Sequence, residues 1–225
     1  MTLKHTRHGA SPDHTHEISL EDTFDFLNTI ELENGFLEDH FTSFADAADW
    51  LLERHVVHPW RIAGSKPTGS AAEEALGRIR SVRGAMREVS DAVVTGRRAD
   101  PTALAEVNRA LRARERIELV SADDGVSVGH SHVGDPIDDA LARLAEPLVD
   151  EIQAGNADRV RICANDTCRW IFYDESRAGR RRWCDMASCG NRAKAARHRA
   201  RMKAKSAATT PVDQPQPSPA GAPPA

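Results

Sequence analysis

All four cysteines of the chain, Cys163, Cys168, Cys184 and Cys189, fall in one short stretch with the spacing C-x4-C-x15-C-x4-C. No other feature limits the fold as strongly. Two close pairs separated by about 15 residues are the arithmetic of a structural zinc site, each pair on its own turn and the chain between them returning as a hairpin. A spacing of four within each pair is at the long end of the usual range. Zn2+ accepts four thiolates tetrahedrally and keeps no open position, so the pattern predicts one structural ion and argues against a catalytic one.

Other uses of the thiols fit less well. No apolar run approaches the ~20 residues of a membrane span, and the leader "MTLKHTRHGASPDHTHE" lacks the apolar core of a secretory signal. The expected location is the cytoplasm, with no membrane partner, and disulfides are rare there. A redox pair would more often be Cys-x-x-Cys at a helix start. The intervening residues support a small metal module. "RWIFYD" (Arg169–Asp174) is strand-like, "ESRAGRR" turns through Gly179, and "RRWC" returns to the second pair. Trp170, Phe172, Tyr173 and Trp183 read as its miniature core, with a stacking platform for single-stranded nucleic acid as the alternative. A segment of fewer than about 50 residues cannot easily bury enough apolar surface, so metal binding would supply folding energy.

Charge is distributed unevenly. Arg159–Lys205 holds 14 Lys/Arg against 4 Asp/Glu, a local +10, which leaves −14 on the remainder given the net charge of −4. An acidic body joined to a basic module suggests that the module alone meets a polyanion; the alternative is a solvated basic face. Beyond Cys189, "GNRAKAARHRARMKAK" has high helix propensity. Lys194, Arg197, Arg201 and Lys205 fall on one side, Arg192, Arg199 and Lys203 on another. Arg180, Arg181 and Arg182 form a second basic cluster that could clamp the backbone of the same duplex. The nine candidate nucleic-acid contacts are Arg180, Arg181, Arg182, Arg192, Lys194, Arg197, Arg199, Arg201 and Lys203. Such a helix could lie in a major groove or along phosphates, and arginine can read guanine bidentately. Asn191 and Arg192, at the helix start, are expected to cap it or contact the domain rather than touch bases.

Upstream, residues 1–17 read as a disordered leader, in which metal binding by His5, His8, His14 and His16 is the alternative. Residues 18–157 read as a mainly helical domain. Helical periodicity runs through Leu20, Phe24, Leu27 and Ile30, and again through Phe44, Ala47, Ala48, Leu51 and Leu52. Ser70-Ala-Ala-Glu73 reads as a capping box opening a long helix that carries Leu76, Ile79, Val82, Met86, Val89 and Val93 and stops at Gly96. Asp100-Pro101 and Asp135-Pro136 each place a capping Asp before a first-turn Pro. The helices they open carry Leu104, Val107 and Leu111, and Ile137, Leu141, Leu144, Leu148 and Ile152; Pro147 predicts a kink or break in the second. "RIELVSADDGVSVGHS", with Asp124-Gly125 at its centre, predicts one hairpin. Residues 158–205 form the zinc module, and 206–225 a disordered Pro/Ala-rich tail. The expected class is therefore α+β: a mainly helical N-terminal domain with one β-hairpin, then a small treble-clef-like or ribbon-like zinc module of knuckle, hairpin and basic helix.

The string "CANDTCRWIFYDESRAGRRRWCDMASCGNRAKAARHR" resembles the CGNR zinc-finger family, named for Cys189-Gly190-Asn191-Arg192. "DFLNT" (Asp25–Thr29) and "NRAL" (Asn108–Leu111) resemble motifs of the ABATE domain that usually precedes that finger. The resemblance covers about residues 18–203, without departure at the four ligand positions. It implies a bacterial, actinobacterial protein described as a stress-induced transcription regulator.

The leading expectation is a DNA-binding regulator whose N-terminal domain senses a signal, such as a small-molecule ligand, or makes a homodimer. An RNA-binding or ribosome-associated protein and a protein-interaction adaptor share the same charge pattern. Asp25, Glu31, Glu33, His40, His55 and His58 could be assembled into a catalytic site on paper. No nucleotide-binding glycine loop, HExxH or nucleophile elbow accompanies them, so no enzyme is expected.

Overall fold

Local sequence signals start and stop most of the helices. The computed structural model describes residues 17–33, 36–57, 67–114, 116–122, 125–131 and 134–209. The leader histidines His5, His8, His14 and His16, as well as His58 and the tail beyond Thr209, lie outside them. Helix α1 (Leu20–Leu27) and helix α2 (Phe44–Glu53) each open on a serine, Ser19 or Ser43, reciprocally bonded to an aspartate three residues on. Between them Ile30–Glu33 (β1) pairs antiparallel with Phe36–Asp39 (β2), Ile30 opposite Asp39. The helical period through Ile30 overran α1, and this short hairpin is an element beyond the expected one. Asn28 caps the helix, and the Thr29 hydroxyl donates to the Phe26 carbonyl at 2.7 Å, satisfying a free acceptor at the helix end.

The long helix α3 (Ser70–Thr95) does not use the expected capping box. Gly69, at φ 56°, is its N-cap, so Ser70 already lies within the helix and no side chain caps it. Gly96 ends it in the left-handed conformation, φ 66°, as expected. The two Asp-Pro starts form as read: Asp100 accepts from Thr102 N–H at 2.8 Å to open α4 (Pro101–Leu111). Asp135 accepts from Ile137 N–H at 2.9 Å to open α5 (Pro136–Gln153), which continues through Pro147 unbroken. The expected hairpin is β3 (Arg116–Ala122) with β4 (Gly125–Ser131), registered by Ala122 opposite Gly125.

The core lies between these helices. Phe26, Leu27, Phe41, Leu51, Ile79, Met86, Leu141 and Leu144 are fully buried. Leu104 and Ile152, expected inside, are exposed; Ala103 and Ala110 supply the buried face of α4. Val160 and Ile171, the inner residues of the strands β5 (Val160–Ile162) and β6 (Ile171–Tyr173), belong to this same core. The first compact unit therefore runs to Cys184 and takes in most of the finger. The second, from Asp185, contains the helix α6 (Asn191–Thr209), which extends into the expected tail. Among the described residues no helix is long and apolar enough to cross a membrane.

Candidate metal centre

The first cysteine pair sits on a knuckle between β5 and β6. These strands are antiparallel, Val160 opposite Tyr173, and Cys163 N–H continues the ladder to Trp170 O at 2.8 Å. Asn165 shapes the turn: its carbonyl accepts from Cys168 and Arg169 N–H at 2.8 and 3.1 Å, and its side chain from the Thr167 hydroxyl at 3.1 Å. Arg169 leaves the knuckle at φ 59°. The hairpin thus pairs across the first knuckle. The expected return strand at 181–184 does not form; that segment meets the knuckle through a backbone bond, Ala164 N–H to Arg182 O at 2.8 Å. Three-residue strands need only a tight turn to meet, whereas the 174–182 loop is held by side chains.

Asp174 organises that loop. Fully buried, its carboxylate accepts from Ser176 N–H and Oγ at 3.0 and 2.5 Å and from Arg181 N–H at 2.6 Å. Burial favours the neutral acid, but the hydrogen bonds of Ser176 and Arg181 and the Arg181 charge prevail and hold its pKa below the usual carboxylate value. Arg159 donates to Ser176 O at 2.7 Å and Arg161 to Gly179 O at 2.5 Å. Gly179 has φ 59°, and a Cβ there would lie 3.1 Å from Arg159 Nη1.

The second pair is set by a wide helical turn, Met186–Gly190. Asp185 caps it, accepting from Ser188 N–H at 2.7 Å, and α6 follows directly. Asn191 donates to Ala187 O at 3.0 Å, the structural role expected of it.

These turns bring the four sulfurs within 4.8 Å of one another, and Cys168 and Cys184 stand 3.7 Å apart. A tetrahedron with Zn–S arms of about 2.3 Å has S···S edges of about 3.8 Å, so that pair already has the spacing of bound ligands. Cys163 and Cys189 are buried, Cys168 and Cys184 half-buried. Burial and the neighbouring Cys163 and Cys168 push the Cys184 thiol well above its ordinary value, because clustered thiolates repel when no cation shares them. A dication removes that penalty, and four thiolates close its coordination sphere. All four predicted ligands meet here.

The aromatic residues are not the miniature core expected. Trp170 is 37% exposed, and Phe172, Tyr173 and Trp183 are half-buried. The helical body supplies the hairpin's core through Ile171 and Val160, leaving the aromatics at its edge. Trp170 Nε1 donates to Glu31 at 3.0 Å and Tyr173 Oη to Glu151 at 2.8 Å. Arg181 stacks over Phe172 with its guanidinium 5.1 Å from the ring centre and donates to Cys184 O at 2.5 Å. Of the nine candidate nucleic-acid contacts, Arg181 is thus engaged in the fold. Arg182 stacks on Trp183 at 5.3 Å while remaining exposed. Arg180, Arg192, Lys194, Arg197, Arg199, Arg201 and Lys203 are exposed, and none has an ion-pair partner among the described residues.

Of the residues considered for catalysis, Asp25 pairs with Arg54, and Glu31 and His40 are brought together at 2.9 Å. Sequence reading missed Asn28, whose motif "DFLNT" was the available signal. Its carboxamide bonds both backbone polar groups of Ile171.

Residues 159–202 match the family described as the CGNR zinc finger. Residues 23–155, more than half of the chain, match the ABATE family, described as "Putative stress-induced transcription regulator". No curated protein matches the chain.

Proposed function

The chain belongs to the ABATE family and carries a CGNR zinc finger at residues 159–202, whose clustered Cys163, Cys168, Cys184 and Cys189 form a site for one Zn2+, and on that premise we propose that it is a non-catalytic, DNA-binding transcription regulator. The observation that carries this reading is α6. It starts at the residue after the turn holding the fourth cysteine and bears seven Lys/Arg and no Asp/Glu over Asn191–Thr209. A helix so charged, exposed from Lys194 to Lys205, has no apolar face to bury there and is suited to a polyanion. Zinc fixes the first turn of that helix. Lys194, Arg197, Arg199, Arg201 and Lys203 would then contact phosphates or base edges, with Arg192 at the helix start and Arg180 and Arg182 on the loop limited to phosphates.

The test is selection of bound sequences from random duplex DNA by the zinc-loaded chain, with metal content measured on the same sample. Enrichment of a common sequence supports the reading. Absence of enrichment with zinc fully loaded contradicts sequence-specific regulation. Preference for RNA in direct competition would move the assignment to RNA.

A further inference from the structure

A second charged feature lies wholly within the first unit. A cleft of about 340 Å³ opens between the β1–β2 hairpin, α3 and the end of the knuckle. Arg80, Arg83 and Arg87 reach it from one face of α3, at steps of three and four, and Arg169 from the knuckle. Ile30, Leu32 and Leu37 form its apolar wall, and Leu37 is 75% exposed.

The cleft's four arginines face three carboxylates, Glu31, Asp39 and Asp91, and the sulfur of Cys168. Arg80 and Arg83 share one carboxylate, Asp39, at 3.2 and 2.6 Å. Arg169 faces Asp91 at 3.9 Å. Glu31 on the rim is taken by His40 and Trp170. Arg87 is half-buried and donates only to two carbonyls, Leu27 O at 3.2 Å and Arg169 O. Among the described residues no carboxylate stands within ion-pairing distance of it. Burial and the neighbouring Arg169 and Arg83 draw its pKa down, with Asp91 and the Cys168 thiolate opposing. A partly desolvated guanidinium whose hydrogen bonds go to carbonyls, beside three further arginines, offers N–H donors to a bound oxyanion.

We propose that this cleft binds a small organic anion, its carboxylate or phosphate group held by Arg87 and Arg169 and its apolar body lying along Ile30, Leu32 and Leu37. The guanidinium fork suits either oxyanion. Because Arg169 follows Cys168 in the chain, the bound group sits one residue from a zinc ligand. This site does not rest on nucleic-acid binding.

The test is calorimetric titration of the zinc-loaded full chain with hexanoate, hexyl phosphate and 1-hexanol. Saturable 1:1 binding of the two anions is expected, with 1-hexanol weaker by about tenfold or more. Arg87→Met should weaken both anions by about tenfold. Gly84→Leu is the second variant. Gly84 lines the cleft, and an added Cβ there meets nothing within 4 Å, so the new side chain fills the space while raising helix propensity. It should abolish anion binding with zinc content intact. The proposal is overturned if neither anion gives saturable heat, if 1-hexanol binds as tightly, or if a folded Gly84→Leu chain binds like the parent.

Discussion

The Asn28 carboxamide pairs with Ile171 as a strand would, donating from Nδ2 to its carbonyl and accepting at Oδ1 from its N–H, both at 2.9 Å. Two residues 143 positions apart are thereby locked, and the strand leaving the zinc knuckle is tied to the end of α1. Ile171 is buried in the shared core. Asn28→Ala strands two buried backbone groups, so it should cost about 2 kcal/mol or more. Asn28→Asp faces a carboxylate oxygen to a carbonyl oxygen and should cost at least as much. Denaturant unfolding of the zinc-loaded variants measures both. A loss below about 0.5 kcal/mol would show that water replaces the carboxamide.

Because Val160 and Ile171 are packed into the helical core, metal removal should release only part of the chain. Replacing any one of Cys163, Cys168, Cys184 or Cys189 by serine should take bound zinc from one ion per chain to near none. Falling pH should do likewise, since protons compete for the same thiolates. The apo chain should keep the helical signal of α1–α5 and a cooperative thermal transition. Hydrogen exchange should accelerate over residues 163–190. Complete unfolding on chelation would mean that zinc, not the core, holds the hairpin.

Asp174 supplies a pH-dependent contribution. Its pKa is lower folded than the ordinary 3.8, so its share of stability is fully present above that value and is lost as pH falls through the lower folded value. Asp174→Asn turns one acceptor into a donor opposite the N–H groups of Ser176 and Arg181. It should cost about 1–3 kcal/mol at neutral pH, and the acid branch of its stability curve should be shallower than the parent's. Equal slopes in acid would show that Asp174 does not titrate with unfolding.

The metal centre was legible in the sequence because ligand spacing is a covalent property: C-x4-C-x15-C-x4-C limits where four sulfurs can meet. Asp100-Pro101 and Asp135-Pro136 were legible for a similar reason, since capping is local chemistry. Long-range choices were not. Ile30 continues the helical period of α1, and only pairing with Asp39 makes it a strand. Ser70 has the composition of a cap, but Gly69, free to adopt φ 56°, takes that position. Trp170 and Trp183 looked like core because the finger was read as folding alone, whereas its strands use the helical domain's interior. Arg181 looked like a phosphate contact because nothing in the sequence shows the Cys184 carbonyl to which it donates.

The central claim is that α6 binds DNA through its exposed cations. It is tested most directly by the salt dependence of duplex-DNA affinity for the parent and for the Arg197→Ala/Arg201→Ala double variant, both zinc-loaded. Each phosphate contact contributes about 0.9 to the slope of log affinity against log salt. The double variant should therefore bind more weakly, with a slope shallower by about 1.8, while zinc content and helical signal stay unchanged. Equal affinity and equal slope in the two proteins would contradict the account.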